Sequence, residues 1–344
     1  MNSGESGHTV REVPVYEVLA ADIKSLGIEA VFGLMSDDTA IFVTALDMVG
    51  ITFHGARHEN AAISMAEGYA SATGSLGIAV VGRGPATANG LHAAVYAART
   101  GSRVLIIYGD AACGAQSTNA LGPDYKAFNA MGVLTAAGLS VLRATSATGA
   151  RSTLSDAAEQ AMQGNAVALL LPTSVQLATV NDDGEPARPV IESKVQAQLA
   201  RPEAVQSAVD SLGRSQRPLI IAGLGAHRAG AREVLEKLSE RIGAMLLTTA
   251  RAKEMFLGHP YQIGIIGSFT HSIGRRFIEQ ADSIVVFGAS LNFWTTSFGT
   301  AIPTVPLIQV DSERGHIGQW YSCLLYTSDA ADDTPCVDLG GRRI

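Results

Sequence analysis

Charge is scarce in this chain: only 17% of its 344 residues are Asp, Glu, Lys or Arg, and the formal net charge is −7. No basic run offsets that balance, which excludes a nucleic-acid-binding surface. Phosphate ligands stay open, because backbone amides and a metal can hold them without a basic patch. Aromatic residues amount to 6%. Cysteine is limited to Cys113, Cys323 and Cys336, an odd number at spacings that suit neither a disulfide framework nor zinc. Nowhere does an apolar run approach the roughly 18 residues of a membrane span. Met1 to Val13 is polar and acidic, without the apolar centre of a signal peptide. The expectation is a cytoplasmic protein with no membrane partner.

What the chain has is apolar bulk: 47% hydrophobic residues, with 36 glycines. That is a well-buried globular composition, and the length exceeds what one core usually supports, so two domains are expected. Apolar residues at helical spacing run from Val15 to Leu26 and stop at Gly27. Asp37 and Asp38 sit where a helix reaching Met48 would begin. Short apolar runs at Ala30–Phe32, Ile51–Phe53, Gly77–Val81, Val104–Tyr108, Ser140–Leu142 and Val167–Leu171 read as strands. Helical stretches separate them at Asn60–Thr73, Pro85–Arg99, Tyr125–Met131 and Gly149–Met162. Continuous apolar strands alternating with helices imply a parallel sheet covered on both faces.

From Pro172 the period fades, and 181–200 reads as a linker, with Asn181-Asp182-Asp183-Gly184 as its punctuation. A second α/β unit follows: a helix from Pro202, strands at Pro218–Ala222, Met245–Leu247, Ser283–Phe287 and Leu307–Val310, and a helix from Gly230 to Ile242. The tail 323–344 has no hydrophobic period. It resembles the conceptual translation of a sequencing adaptor and is set apart from the fold, as a fusion scar would be.

The chemistry concentrates in Arg57-His58-Glu59-Asn60 and the following Met65-Ala66-Glu67-Gly68-Tyr69-Ala70. The stretch lies at a strand-to-helix step, at the carboxyl edge where open α/β sheets place ligands. Helix electrostatics alone would favour an acid at Glu59, by about 0.3–1 kcal/mol. A turn with Pro at the first helical position would equally explain Pro85. Arg57 and His58 suit hydrogen-bonded scaffold, and His92 a core or interface position.

RHENAAISMAEGYA followed by GRGPATANGLHAAVYAA resembles the pyrimidine-binding domain of thiamine-diphosphate-dependent enzymes of the acetolactate-synthase type. The likeness continues through PLIIAGLGAHRAGAREVLEKLSERIGAMLLTT, ADSIVVFGAS and PLIQVDSE, which look like that family's central domain. The resemblance implies an α/β architecture of two parallel-sheet domains with helices on both faces. The pyrimidine-binding domain would span 1–180 and a truncated Rossmann-like central domain 201–322, the third domain being missing. Glu59 would be the catalytic carboxyl: it bonds the ring nitrogen of the cofactor's aminopyrimidine and favours the imino tautomer, whose imine deprotonates the thiazolium carbon. Gly84, Pro85 and Asn89 fall on the family's GPG-x-TN positions and would line the pyrimidine, although Ala86 replaces the second glycine and Ala88 separates Thr87 from Asn89.

Mg²⁺ and the diphosphate would be held by the missing domain, so the implied parent is a homodimer or homotetramer and this chain supplies half of each site. On its own it is expected to be inactive. The implied substrate is a 2-oxo acid, taken to decarboxylation or carboligation. Two loops depart from the acetolactate-synthase pattern, Gly33-Leu34-Met35-Ser36-Asp37-Asp38 and Phe128-Asn129-Ala130, which puts that particular synthesis in doubt. Gly223-Leu224-Gly225-Ala226-His227-Arg228-Ala229-Gly230 departs from the dinucleotide spacing. FAD, carried by some members and not others, is left open beside a tight structural turn. Two rival readings remain: a flavin- or nucleotide-binding module without thiamine chemistry, and a non-catalytic regulatory paralogue.

Overall fold

The computed structural model describes residues 11–112, 124, 126–182, 184, 199–312 and 314–321, with the backbone of Leu325–Thr327. Cys113, Tyr125, most of the 181–200 linker and the tail apart from those three residues lie outside the described residues. The chain divides into two compact units, Met1–Ser193 and Lys194–Ile344.

In chain order the first unit runs β1 (Arg11–Pro14), α1 (Val15–Ser25), β2 (Ala30–Gly33), α2 (Ala40–Met48), β3 (Thr52–Gly55), α3 (Glu59–Thr73), β4 (Gly77–Val81), α4 (Pro85–Arg99), β5 (Val104–Asp110), α5 (Ala130–Ala136), β6 (Ser140–Arg143), α6 (Ala150–Met162), β7 (Val167–Pro172), α7 (Thr173–Leu177) and β8 (Thr179–Asp182). Six strands form a sheet in the order β3-β2-β4-β5-β7-β6, every pairing parallel. Alternate residues of a strand face opposite sides, and both sides are dry here. Ile78, Val80, Leu105 and Ile107 pack with α1, α2 and α6 through Leu19, Phe42 and Leu154. Ala79, Val81, Ile106 and Tyr108 pack with α3, α4 and α5 through Ile63, Ala94 and Leu134.

The second unit runs α8 (Pro202–Gly213), β9 (Pro218–Ala222), α9 (Leu224–Arg228), α10 (Arg232–Ile242), β10 (Met245–Thr248), β11 (Gln262–Ile265), α11 (Ser272–Glu279), β12 (Ser283–Phe287), α12 (Phe293–Thr296), β13 (Leu307–Val310) and β14 (Leu325–Thr327). Its sheet order is β11-β10-β9-β12-β13-β14, again parallel throughout. Counted within the unit this is 3-2-1-4-5-6, the Rossmann order. The two α/β layer units expected from the sequence are therefore present.

Several elements differ from the sequence reading, three of them as follows. The linker's first residues are strand: β8 pairs antiparallel with β1, Arg11 opposite Asp182 and Pro14 opposite Thr179, a long-range pairing that leaves no local pattern. Leu325–Thr327, inside the stretch set apart as a tail, aligns with β13 as the sixth strand. The short helix expected at Tyr125–Met131 begins at Ala130, where Asn129 caps it by accepting from Gly132 N at 2.9 Å. Among the described residues no helix is long and apolar enough to cross a membrane.

Candidate active site

In the first sheet the strand order reverses between β2 and β4, a switch point where open α/β sheets bind ligands beyond their carboxyl ends. The chain leaves β3 through Ala56 and Arg57 and enters α3. His58 is the cap: its Nδ1 accepts from Asn60 N at 3.1 Å. Glu59 is the first helical residue and only 8% exposed. Its Oε2 accepts from Asn89 Nδ2 at 3.1 Å, and among the described residues no cation pairs with it. An acid placed there for helix electrostatics alone would face solvent; this one faces α4.

Helix α4 is brought to it by local geometry. Gly84 precedes the helix at φ 68, a conformation that L side chains avoid. A β-carbon there would also stand 2.4 Å from the Lys126 carbonyl oxygen. Pro85 takes the first helical position, where its missing N–H costs nothing. Asn89 follows one turn later. Asn60 Oδ1 accepts from Ala93 N at 2.9 Å and ties the two helices together. A shallow cleft between their first turns is lined by His58, Asn60, Ala61, Asn89 and His92. His92 is exposed, so the core position considered for it does not hold.

The structure thus joins Glu59 and Asn89 directly, with Gly84 and Pro85 heading the same helix. It also shows a polar cluster that sequence reasoning missed. Lys126 Nζ bonds Asp37, and reaches Asp38 Oδ1 at 3.1 Å and Ser36 Oγ at 3.2 Å. Arg83 makes a two-pronged pair with Asp124 at 2.8 and 3.1 Å, while its backbone N–H donates to Asp38 Oδ2 at 2.7 Å. The hydrogen bond from Lys126 holds the Asp37 carboxyl far below the ordinary carboxylate range. Burial works against the Lys126 charge, but the two aspartates outweigh it and raise that pKa. Donating to the Asp124 carboxylate likewise raises the Arg83 pKa.

Asp37 and Asp38, expected to open a helix, are instead the acidic side of a clamp, and α2 starts at Ala40. The only signal was the unusual Asp-Asp pair in one departing loop and a lysine beside the other. Those two loops are the ones Lys126 connects.

In the second unit, Gly223 and Gly225 lie against the turn after β12. A β-carbon on Gly223 would stand 2.1 Å from Gly288 O, and one on Gly225 2.8 Å from Gly288 Cα. Backbone-to-backbone packing accounts for these glycines. Among the described residues no group of three or more His, Cys, Asp or Glu could hold a metal ion.

Comparison with known proteins gives a consistent result. Residues 14–133 match the family model "Thiamine pyrophosphate enzyme, N-terminal TPP binding domain". Residues 205–330 match "Thiamine pyrophosphate enzyme, central domain". The chain is 25% identical over 317 residues to a probable acetolactate synthase large subunit of Methanococcus aeolicus, covering 88% of this chain and 51% of the relative. It is 26% identical over 313 residues to a sulfoacetaldehyde acetyltransferase of Roseovarius nubinhibens, covering 88% and 50%. With an oxalyl-CoA decarboxylase of Escherichia coli it shares 26% over 311 residues, covering 87% and 52%. The chain spans about half the length of these relatives. With both family models matched in order on the two units described above, the chain belongs to the thiamine pyrophosphate enzymes, of which it carries the N-terminal and central domains.

Proposed function

We propose that the chain is the pyrimidine-binding portion of a thiamine-diphosphate-dependent enzyme that decarboxylates or ligates 2-oxo acids, and that Glu59 is its cofactor-activating carboxyl. One observation carries this reading: a buried acid at a sheet's carboxyl edge, without a cation among the described residues, held through one oxygen by the Asn89 amide. Such a group fits an aminopyrimidine. An ion-paired carboxylate would resist taking up a proton, and a solvent-facing one would have no ring to meet.

When bound, thiamine diphosphate supplies a nucleophilic carbon that adds to the substrate carbonyl and takes up the electron pair released with carbon dioxide. Glu59 holds or receives the proton at the pyrimidine ring nitrogen. Asn89 keeps the carboxyl oriented without adding charge, so the proton can move either way. Gly84 and Pro85 set the head of α4 against the ring. On this reading Mg²⁺ and the diphosphate are assigned to residues beyond the two matched domains, and the working unit is taken to be a homodimer or homotetramer in the cytoplasm, with this chain as half of each site. The relatives named acetolactate synthase, acetyltransferase and decarboxylase support 2-oxo acid or acyl chemistry without choosing among them. FAD has no specific support, since backbone packing explains Gly223 and Gly225 and a positive φ explains Gly230.

The test uses the half of the cofactor this chain would hold. Titrating the chain with 4-amino-5-hydroxymethyl-2-methylpyrimidine, followed by NMR, should perturb the Glu59 and Asn89 signals, and Glu59→Gln should weaken binding about tenfold or more. Perturbations confined to other residues, or equal affinity in the variant, would remove Glu59 from the role.

A further inference from the structure

Tyr108 lies on β5, an interior strand of the first sheet, with its side chain fully buried. Among the described residues its hydroxyl has no hydrogen-bond partner. A phenol removed from water without a partner carries the whole desolvation penalty, and phenylalanine would fill the same space without it. Burial also pushes the Tyr108 pKa far above the ordinary phenol value, so the group keeps its proton and can donate at any working pH.

What the hydroxyl faces follows from Gly90 on α4. A β-carbon on Gly90 would stand 3.7 Å from Tyr108 Oη, 3.6 Å from Glu59 Cβ and 2.6 Å from Ile63 Cδ1. The phenol oxygen and the Glu59 Cβ therefore each border the space that a Gly90 side chain would fill. An ionised carboxylate can accept about four hydrogen bonds, and among the described residues Glu59 accepts one, from Asn89. A donor without an acceptor and a residue whose carboxylate is short of donors thus flank the same glycine.

We infer that Tyr108 is a positioning residue for Glu59: reached by a rotation of the glutamate side chain, its hydroxyl donates to the carboxylate, and Gly90 keeps the path between them open. The inference rests on the reading of Glu59 as the pyrimidine-facing acid. The phenol and the Asn89 amide then hold the carboxylate left when the proton passes to the ring, and neither brings a formal charge that would stop the proton returning. The nearby histidines that line the cleft, His58 and His92, are not altered in the variants below.

The experiment is NMR on the whole chain with labelled tyrosine and glutamate, Glu59 being assigned through the signal lost in Glu59→Gln. The expected result is a slowly exchanging Tyr108 hydroxyl proton correlated with the Glu59 carboxyl carbon. Tyr108→Phe should abolish the correlation and displace the carboxyl signal. Gly90→Ala should do the same with the tyrosine retained, because its methyl intervenes. A Glu59 carboxyl signal unmoved in both variants overturns the inference, whatever their melting temperatures, since a merely structural tyrosine would change stability alone. The readout needs no cofactor, so it can fail while the pyrimidine fragment still binds at Glu59, and succeed while the fragment does not.

Discussion

Glu59 sits where the amides of a first helical turn welcome any acid, so its residue type says little. Its surroundings say more: burial, and a single neutral partner on the next helix. Replacing that partner tests the environment directly. Asn89→Asp would set a second carboxylate where an amide now stands 3.1 Å from Glu59 Oε2. Like charges at that range repel, so we expect a loss on the order of 1–2 kcal/mol at neutral pH, discounted because position 89 is exposed. The loss should shrink on acidification, as one carboxyl of the pair takes up a proton. Chemical denaturation at several pH values reads it; a deficit that grows toward low pH would contradict the geometry.

Gly109 gives a second test at this scale. A β-carbon there would stand 1.7 Å from Asp38 Oδ2, an atom already fixed by the Arg83 amide. Gly109→Ala should cost about 2–3 kcal/mol, because the obstructing carboxylate is pinned rather than free to swing away. A melting temperature equal to that of the parent would show that the clamp gives way.

Among the elements, the clamp joins three carboxyl-edge segments that are distant in sequence: the loop after β2, the turn after β4 and the stretch leading to α5. Lys126→Met would leave Asp38, with a side chain 4% exposed, without the lysine ammonium bonded to it. Removing one partner of a buried pair costs about 3 kcal/mol at the lower end of its range; Asp37, 71% exposed, adds little. The sign with pH is fixed by Asp37, whose folded carboxyl is held below its ordinary value. Its contribution is present above that ordinary value, near 4, and is lost as pH falls through the folded one. Thermal melts should therefore show a gap between parent and variant that narrows only slightly below about pH 4, by the small Asp37 part. A gap that widens toward acid would contradict the ion pair.

The same elements show what a sequence exposes and what it hides. Strands β4, β5, β7, β9, β12 and β13 are buried on both faces and read as predominantly apolar runs, so their positions and the layered architecture were legible. The Glu59 corner was legible because its residues cluster within two short motifs. The clamp was not, since Lys126 lies 89 positions from Asp37 and nothing local to either predicts the other. Pairing of β1 with β8 is hidden for the same reason. Short elements such as β11 and α12 are too brief for a period to emerge. Tyr108 was read correctly as strand, yet the orphaned state of its hydroxyl exists only in three dimensions.

At the scale of the whole molecule, each unit has its own two-sided core: Leu105, Ile107 and their neighbours in the first, and Leu219, Ile221 and theirs in the second. Both tryptophans of the chain, Trp294 and Trp320, belong to the second unit. Indole fluorescence therefore reports that unit alone, whereas far-UV circular dichroism reports helices of both. Leu105 is fully buried, and Leu105→Ala should destabilise the first unit by about 2–5 kcal/mol. If each core sustains its own unit, as separate clusters suggest, the variant's circular-dichroism transition should split or broaden toward lower denaturant. The fluorescence midpoint should stay where it was. A fluorescence midpoint that falls in step with the circular-dichroism signal would mean that the two units unfold as one cooperative body, and a truncation to residues 1–193 could then not be trusted to preserve the Glu59 corner.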